Sequence, residues 1–195
     1  MSPKPEIINS VEYLKFLTTI LDEKSIPYWL ECGTLLGAYR EGNILTHDYD
    51  VDIGVLDDYA ESMKCIIDDL TKRTAVEKLP RCKDGIIYQL RFPNHTPSYR
   101  LDIYFFKRVG HRIQSNFFST GGVAKLQINA THIDTLQTIK LGDYIFKCPN
   151  NIEQFLKVRY GKNYMIPQTT GVCEELQIAW SETTDNIGNE YLDEV

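Results

Sequence analysis

The sequence contains no long apolar run and no signal-like beginning. Its first residues, Met1 to Glu6, lack the apolar core of a secretory signal peptide. No later stretch approaches the roughly 20 consecutive apolar residues that a membrane-spanning helix requires. We therefore expect a cytoplasmic protein without a membrane span.

Paired cysteines are also missing. The chain has five cysteines, an odd number, and no C-x-x-C motif. This spacing predicts neither a zinc cluster nor a disulfide framework. The thiols are expected to be reduced, which agrees with a cytosolic setting.

Basic residues do not predominate, because 21 Lys and Arg stand against 27 Asp and Glu, giving a formal charge of −6. Nucleic acids and anionic membranes attract proteins chiefly through an excess of Lys and Arg, so neither partner is expected. Repeats and low-complexity tracts are absent as well. The 195 residues predict one globular domain over 1–170, followed by a polar, acidic C-terminal extension over 171–195.

Helical and strand patterns alternate along the chain. Apolar residues recur at helical spacing from Val11 to Leu21, and a short apolar run at Tyr28–Leu30 predicts a strand. Two β-prone runs, 86–92 and 99–106, are joined by turn residues and predict a hairpin. The expected fold class is α/β (α+β), with a mixed sheet and flanking helices.

Carboxylates alternate with apolar or aromatic residues after position 47. In a strand, Asp48, Asp50 and Asp52 would share one face, roughly 6–7 Å apart, and would repel one another unless a cation intervened. A solvated edge strand is the alternative. An EF-hand loop is excluded because Ile53 and Tyr59 occupy its glycine and glutamate positions.

One further acid, Asp102, lies inside an apolar strand. An unpaired carboxylate there is costly, so it needs either a salt bridge to Arg91 or Arg100, or a metal ion shared with Asp50 and Asp52. Both explanations remain open at this point.

A Gly33-Thr34 turn is predicted between the first strand and a helix over Leu35–Arg40. A glycine turn that opens a helix offers backbone N–H groups to phosphate. Arg40 is either a bidentate phosphate ligand or a structural cap at the helix end.

Two motifs resemble the LicD/fukutin family of phosphotransferases, which have a nucleotidyltransferase-type fold. The first is GTLLGAYR at 33–40, and the second is DYDVDI at 48–53. Thr46-His47 replace the usual Pro-Trp, and Tyr49 stands where another Asp is common, but the D-x-D pair is intact. The resemblance extends over Ser10–Pro167 through matching residues at Asp102, Pro149, Leu156, Tyr160-Gly161, Tyr164-Met165 and Pro167.

The resemblance implies a metal-dependent transferase. It would move phosphocholine or a phospho-polyol from a CDP-activated donor to a carbohydrate or glycoconjugate hydroxyl and release CMP. Asp50, Asp52 and Asp102 would bind Mg²⁺ or Mn²⁺, Gly33, Thr34 and Arg40 would hold the donor phosphates, and Asp48 would be the general base or support the metal ligands. A lipid-linked acceptor would allow peripheral membrane contact.

Two other functions are compatible with the same residues. One is attack at the α-phosphate of a nucleoside triphosphate, which transfers the nucleotide and releases pyrophosphate. The other is a non-catalytic nucleotide- or sugar-binding module. The sequence does not specify the donor alcohol, the acceptor, the metal count or the oligomeric state.

Overall fold

The computed structural model of the protein describes residues 10–46, 48, 50–79, 87–92, 99–119 and 122–167. The predicted C-terminal extension at 171–195 and the loop at 93–98 lie outside these residues. The helices and strands are, in chain order, α1 (Ser10–Glu23), β1 (Trp29–Leu30), α2 (Cys32–Glu41), β2 (Asp50–Leu56), α3 (Ala60–Arg73), β3 (Glu77–Lys78), β4 (Ile87–Phe92), β5 (Tyr99–Val109), β6 (Arg112–Ser119), β7 (Gly122–Asn129), α4 (Thr131–Asp134), β8 (Gln137–Leu141), β9 (Tyr144–Cys148) and α5 (Ile152–Tyr160).

The first helix has the predicted apolar stripe. Val11, Leu14, Leu17 and Leu21 are all buried, as expected for residues that recur on one helical face. The helix packs against β2 and β5. It therefore covers one face of the sheet at these two strands.

The main sheet is mixed, as the sequence predicts. Its strand order is β1-β2-β5-β4-β3. β2 and β5 run parallel, whereas β1 pairs with β2, and β4 with β5, in the antiparallel sense. Two parallel strands need a long connection, which α3, β3 and β4 provide. The α/β fold class and the pairing of β4 with β5 are confirmed.

Strand β5 extends beyond the main sheet. Its last residues, Lys107–Val109, pair with β6, which pairs in turn with β7. A separate hairpin of β8 and β9 turns at Gly142, whose φ is +58°. The Gly142 N–H donates to the Gly42 carbonyl at 2.9 Å, so this hairpin is tied to the C-terminal end of α2.

Strand β1 fits tightly against β2. A Cβ atom added to Gly54 would lie 2.3 Å from Cε2 of the fully buried Trp29 side chain. Only glycine leaves room for the indole at this position. Among the described helices, none has both the length and the apolar composition that crossing a bilayer requires.

Candidate active site

The parallel pairing of β2 with β5 brings three acids together. Asp52 lies opposite Asp102 in the register, and Asp50 lies one row away on the same face. One carboxylate oxygen from each of the three lies within 4.8 Å of the others. This is the juxtaposition expected from the alternation in the sequence.

Neither arginine proposed as a salt-bridge partner forms an ion pair with Asp102. Arg100 donates to Asp50 at 2.8 Å, and Arg91 donates from Nε to Glu77 at 3.0 Å. Asp102 Oδ2 instead accepts a hydrogen bond from Gln89 at 3.0 Å. Asp102 is only 5% exposed, and its buried Oδ1 has no hydrogen-bond partner among the described residues.

The predicted Gly33-Thr34 turn is wrong. Helix α2 begins at Cys32, after Glu31 in the N-cap position, so Gly33 and Thr34 form part of its first turn. The buried Thr34 hydroxyl accepts a hydrogen bond from the Asp52 N–H at 2.8 Å and donates to Asp52 Oδ2 at 3.3 Å. Thr34 therefore fixes both the backbone and the carboxylate of Asp52. Its contact with a phosphate stays a prediction.

Asp48 lies beside the cluster but outside the strand. Because β2 begins at Asp50, the expectation that Asp48 shares the strand face is wrong. Its carboxylate packs on the first turn of α2, where a Cβ atom on Gly33 would lie 2.3 Å from Asp48 Oδ2. The absence of a side chain at Gly33 thus makes room for a carboxylate close to the helix N-terminus.

Arg40 is not brought into the cluster. It lies seven residues beyond Gly33, or about 10 Å along the helix axis. Its guanidinium pairs with Glu41 at 3.1 Å. The phosphate contact predicted for Arg40 stays a prediction.

Burial and the charge of Asp50 raise the pKa values of Asp48, Asp52 and Asp102. Burial raises the pKa of Asp102 to about 6, although the Gln89 hydrogen bond opposes this shift. Burial, followed by the charge of Asp50, raises the pKa of Asp48 to about 6. The same causes, with Asp102 and Asp48 also contributing, raise the pKa of Asp52 well above its usual value. Arg100 neutralises part of the charge on Asp50, but no basic side chain among the described residues forms an ion pair with Asp52 or Asp102.

These features fit a divalent cation. Asp50, Asp52 and Asp102 all offer carboxylate oxygens, the ligands that Mg²⁺ and Mn²⁺ prefer. The unpartnered Oδ1 of Asp102 is a buried acceptor that a cation would satisfy. The cluster can therefore hold a metal ion, and its chemistry favours a hard one.

A buried ion pair at the start of α2 was missed by sequence reasoning. Glu31 is fully buried, accepts a hydrogen bond from Trp29 Nε1 at 3.1 Å, and lies 3.6 Å from Arg159 Nε. Arg159 also donates to Cys32 Sγ at 2.9 Å. Burial raises the pKa of Glu31 to about 7 against the opposing effect of Arg159. Glu31 directly follows the apolar run Tyr28–Leu30, which is the signal that could have found it, whereas Arg159 lies in a helix with other charged residues and gives no such signal.

Two human proteins are similar to most of this chain. Ribitol-5-phosphate transferase FKTN is 26% identical over 163 residues, which cover 82% of this chain and 34% of that protein. Ribitol 5-phosphate transferase FKRP is 24% identical over 163 residues, which cover 77% of this chain and 30% of that protein. The chain thus spans about a third of the length of these relatives.

Solved structures show the same fold at low identity. The crystal structure of ANT(2")-Ia in complex with adenylyl-2"-tobramycin superposes with a TM-score of 0.51 and 12% identity, covering 88% of this chain and 84% of that one. At this identity the similarity concerns the fold alone, which is of the nucleotidyltransferase type. The family model "LicD/FKTN/FKRP, nucleotidyltransferase domain" matches residues 25–151, more than half of the chain, including every acid of the cluster. The chain therefore belongs to the LicD/FKTN/FKRP family.

Proposed function

We propose that this domain transfers a phosphorylated alcohol from a CDP-activated donor to a carbohydrate or glycoconjugate hydroxyl and releases CMP. The observation that carries the proposal is the buried, unpartnered Oδ1 of Asp102, held beside Asp50 and Asp52 on one face of the sheet. The family membership and the two ribitol-phosphate transferases among its relatives support it.

Asp50, Asp52 and Asp102 would hold the metal, for which we propose Mg²⁺ or Mn²⁺. When bound, such an ion neutralises charge on the donor diphosphate and on the leaving CMP. Thr34 keeps the Asp52 carboxylate in place through its two hydrogen bonds. Gly33 leaves room for the Asp48 carboxylate at the N-terminal turn of α2, and the remaining backbone N–H groups of that turn would face the donor phosphates.

Asp48 is proposed as the general base. Its pKa of about 6 is closer to neutral pH than that of an ordinary aspartate, which makes it a better proton acceptor. The acceptor oxygen would form a bond to the phosphorus of the phospho-alcohol while its proton passes to Asp48. The bond from that phosphorus to the bridging oxygen would break, and CMP would leave with the electron pair.

Product analysis tests the proposal directly. The chain would be incubated with CDP-ribitol, CDP-choline, CTP or ATP in the presence of Mg²⁺ or Mn²⁺. Release of CMP from a CDP-linked donor, with water or a sugar as the acceptor, is the expected result. Pyrophosphate release from CTP or ATP, with no CMP from either donor, would favour nucleotidyl transfer instead. Nucleotide binding without turnover would favour the non-catalytic module.

A matched pair of variants assigns the activity to the site. Asp102→Asn removes a proposed ligand, and we expect at least about a 100-fold loss of CMP release. Asp143→Asn changes an exposed aspartate in the β8–β9 turn and should leave the rate unchanged. Equal rates in both variants would contradict the assigned role of Asp102.

A further inference from the structure

Charged side chains form a row across the sheet, directly beside the carboxylate cluster. The strand registers place Glu77 opposite Arg91, Arg91 opposite Arg100, and Arg100 opposite Asp50. Directly paired residues on neighbouring strands project from the same face. The row therefore lies on the face that carries the three aspartates, with two neighbouring arginines in its middle and one acid at each end.

The row consists of two ion pairs of similar exposure. Arg91 pairs with Glu77, and these side chains are 44% and 47% exposed. Arg100 pairs with Asp50 at 2.8 Å, and these side chains are 45% and 21% exposed. Both guanidinium groups are thus open to a ligand that approaches the face.

The two arginines differ in what their partners do. Glu77 lies at the far end of the row, whereas Asp50 is also one of the three clustered carboxylates. A carboxylate that ligates a cation has less negative charge left for a neighbouring arginine. A guanidinium carries five N–H donors in a planar fork that matches phosphate. Arg100 is therefore poised to bind an additional anion next to the cluster.

We propose that Arg100 binds the diphosphate of the donor beside the three aspartates. The inference deepens the proposed function and rests on it. It assigns to Arg100 the phosphate contact that the sequence suggested for Arg40. Arg40 lies near the C-terminal end of α2, whereas Thr34 and Asp52 meet at its N-terminal end. Arg91, one strand further away, has no such role.

Equilibrium binding separates the two arginines. The affinities for CDP and cytidine would be measured calorimetrically at saturating Mn²⁺ for the unchanged chain, Arg100→Gln and Arg91→Gln. We expect Arg100→Gln to weaken the binding of CDP by about 10- to 100-fold, because charge-assisted hydrogen bonds to the diphosphate are lost. The affinity for cytidine, which has no phosphate, should be unchanged. Arg91→Gln is the matched control and should bind both as the unchanged chain does.

Further measurements exclude a merely structural role. If Arg100 only neutralised Asp50, Arg100→Gln would tighten Mn²⁺ binding and change CDP affinity less than threefold, which would overturn the inference. An equal loss of affinity for CDP and for cytidine would overturn the inference as well. Arg100→Lys keeps the charge without the fork, should recover part of the CDP affinity, and replaces the glutamine variant if that variant does not fold. An unchanged chain that fails to bind CDP with Mn²⁺ would contradict the proposed function and the inference together.

Discussion

The Thr34 hydroxyl makes both of its hydrogen bonds to one residue, Asp52. It accepts from the Asp52 N–H and donates to the carboxylate, and it is completely buried. Buried polar groups that lose a partner cost more than the bond itself contributes, since neither water nor another group replaces it. Thr34 thus contributes to the stability of the fold and also fixes the position of Asp52, a proposed metal ligand.

Replacing this hydroxyl should affect both folding and metal binding. Thr34→Val leaves the Asp52 N–H without its side-chain acceptor, and we expect a loss of about 1–3 kcal/mol in the free energy of unfolding. Mn²⁺ binding should weaken too. Thr34→Ser keeps the hydroxyl and serves as the control. Urea unfolding and Mn²⁺ titration measure the two effects. A valine variant as stable as the serine variant would contradict this account.

Asp102 should favour function at the expense of stability. Asp102→Asn keeps an oxygen that can accept from Gln89 but removes a negative charge from a buried, repulsive cluster. We expect the metal-free variant to be more stable than the unchanged chain at pH 8, by about 1–3 kcal/mol, because a pKa shift of one unit corresponds to about 1.4 kcal/mol. Its Mn²⁺ affinity should fall at least about 100-fold. A variant that is less stable and still binds Mn²⁺ normally would disprove the prediction.

At the scale of elements, β1 and β2 are held together by the contact between Trp29 and Gly54. The indole lies against the glycine, and its Nε1 donates to Glu31 at 3.1 Å. Glu31 immediately precedes α2, so the packing of one ring influences where the helix starts. The contact connects the sheet to the turn of helix that supports Asp52.

A single methyl group at position 54 should disrupt this arrangement. Gly54→Ala would place Cβ within 2.3 Å of the indole, and overpacking of this kind costs about 1–3 kcal/mol or more. Trp29→Phe removes the atoms that would clash. In the double variant the alanine should cost less than it does alone, a coupling that a double-mutant cycle in urea measures. Strictly additive effects would show that the two residues do not meet in this way.

The elements also show what the sequence could predict. The meeting of Asp52 with Asp102 was expected, because each of two predicted strands carried an acid among apolar residues and a shared metal ion would bring the two acids together. The hairpin pattern fixed only the pairing of β4 with β5. The start of α2 was not, because Gly33 and Thr34 are poor helix formers and favour a turn unless tertiary contacts override them. Those contacts include the two hydrogen bonds between Thr34 and Asp52, one accepted and one donated by the threonine hydroxyl.

Partners that lie far apart in the chain were also beyond prediction. Arg159 reaches Cys32 across 127 positions, and no local pattern specifies such a pairing. The same holds for Arg100, whose partner could be named only after the strand register was known. Arg40 lies about two helical turns beyond Gly33, a separation that became apparent only once α2 was seen to be continuous, and its phosphate contact stays a prediction.

At the scale of the whole molecule, acids with raised pKa values should control how stability depends on pH. Asp48 and Asp102 have pKa values of about 6, and Glu31 of about 7, each raised chiefly by burial. The folded chain therefore binds protons more tightly than the unfolded chain does. This contribution to stability is complete below about pH 4 and is lost as the pH rises through 6 to 7.

The metal-free chain should consequently become less stable between pH 5 and pH 8. A single group with a folded pKa of about 6 and an ordinary unfolded value contributes a fall of about 1.4 kcal/mol over this interval. Urea unfolding at several pH values, with EDTA present, measures the slope. Asp102→Asn should make the slope shallower, whereas Asp143→Asn should not. A metal-free stability that rises toward pH 8 would contradict the assignment of these pKa values.

Mn²⁺ should reverse this dependence. Carboxylates must lose their protons to bind a metal, so the ion binds better at pH 8 than at pH 5 and stabilises the folded state more there. Binding at pH 6 should also release protons, which calorimetry in buffers of different ionisation enthalpy detects. The reversal should vanish in Asp102→Asn and persist in Asp143→Asn. If Mn²⁺ shifted the unfolding of all three proteins equally at both pH values, it would be binding elsewhere than among Asp50, Asp52 and Asp102.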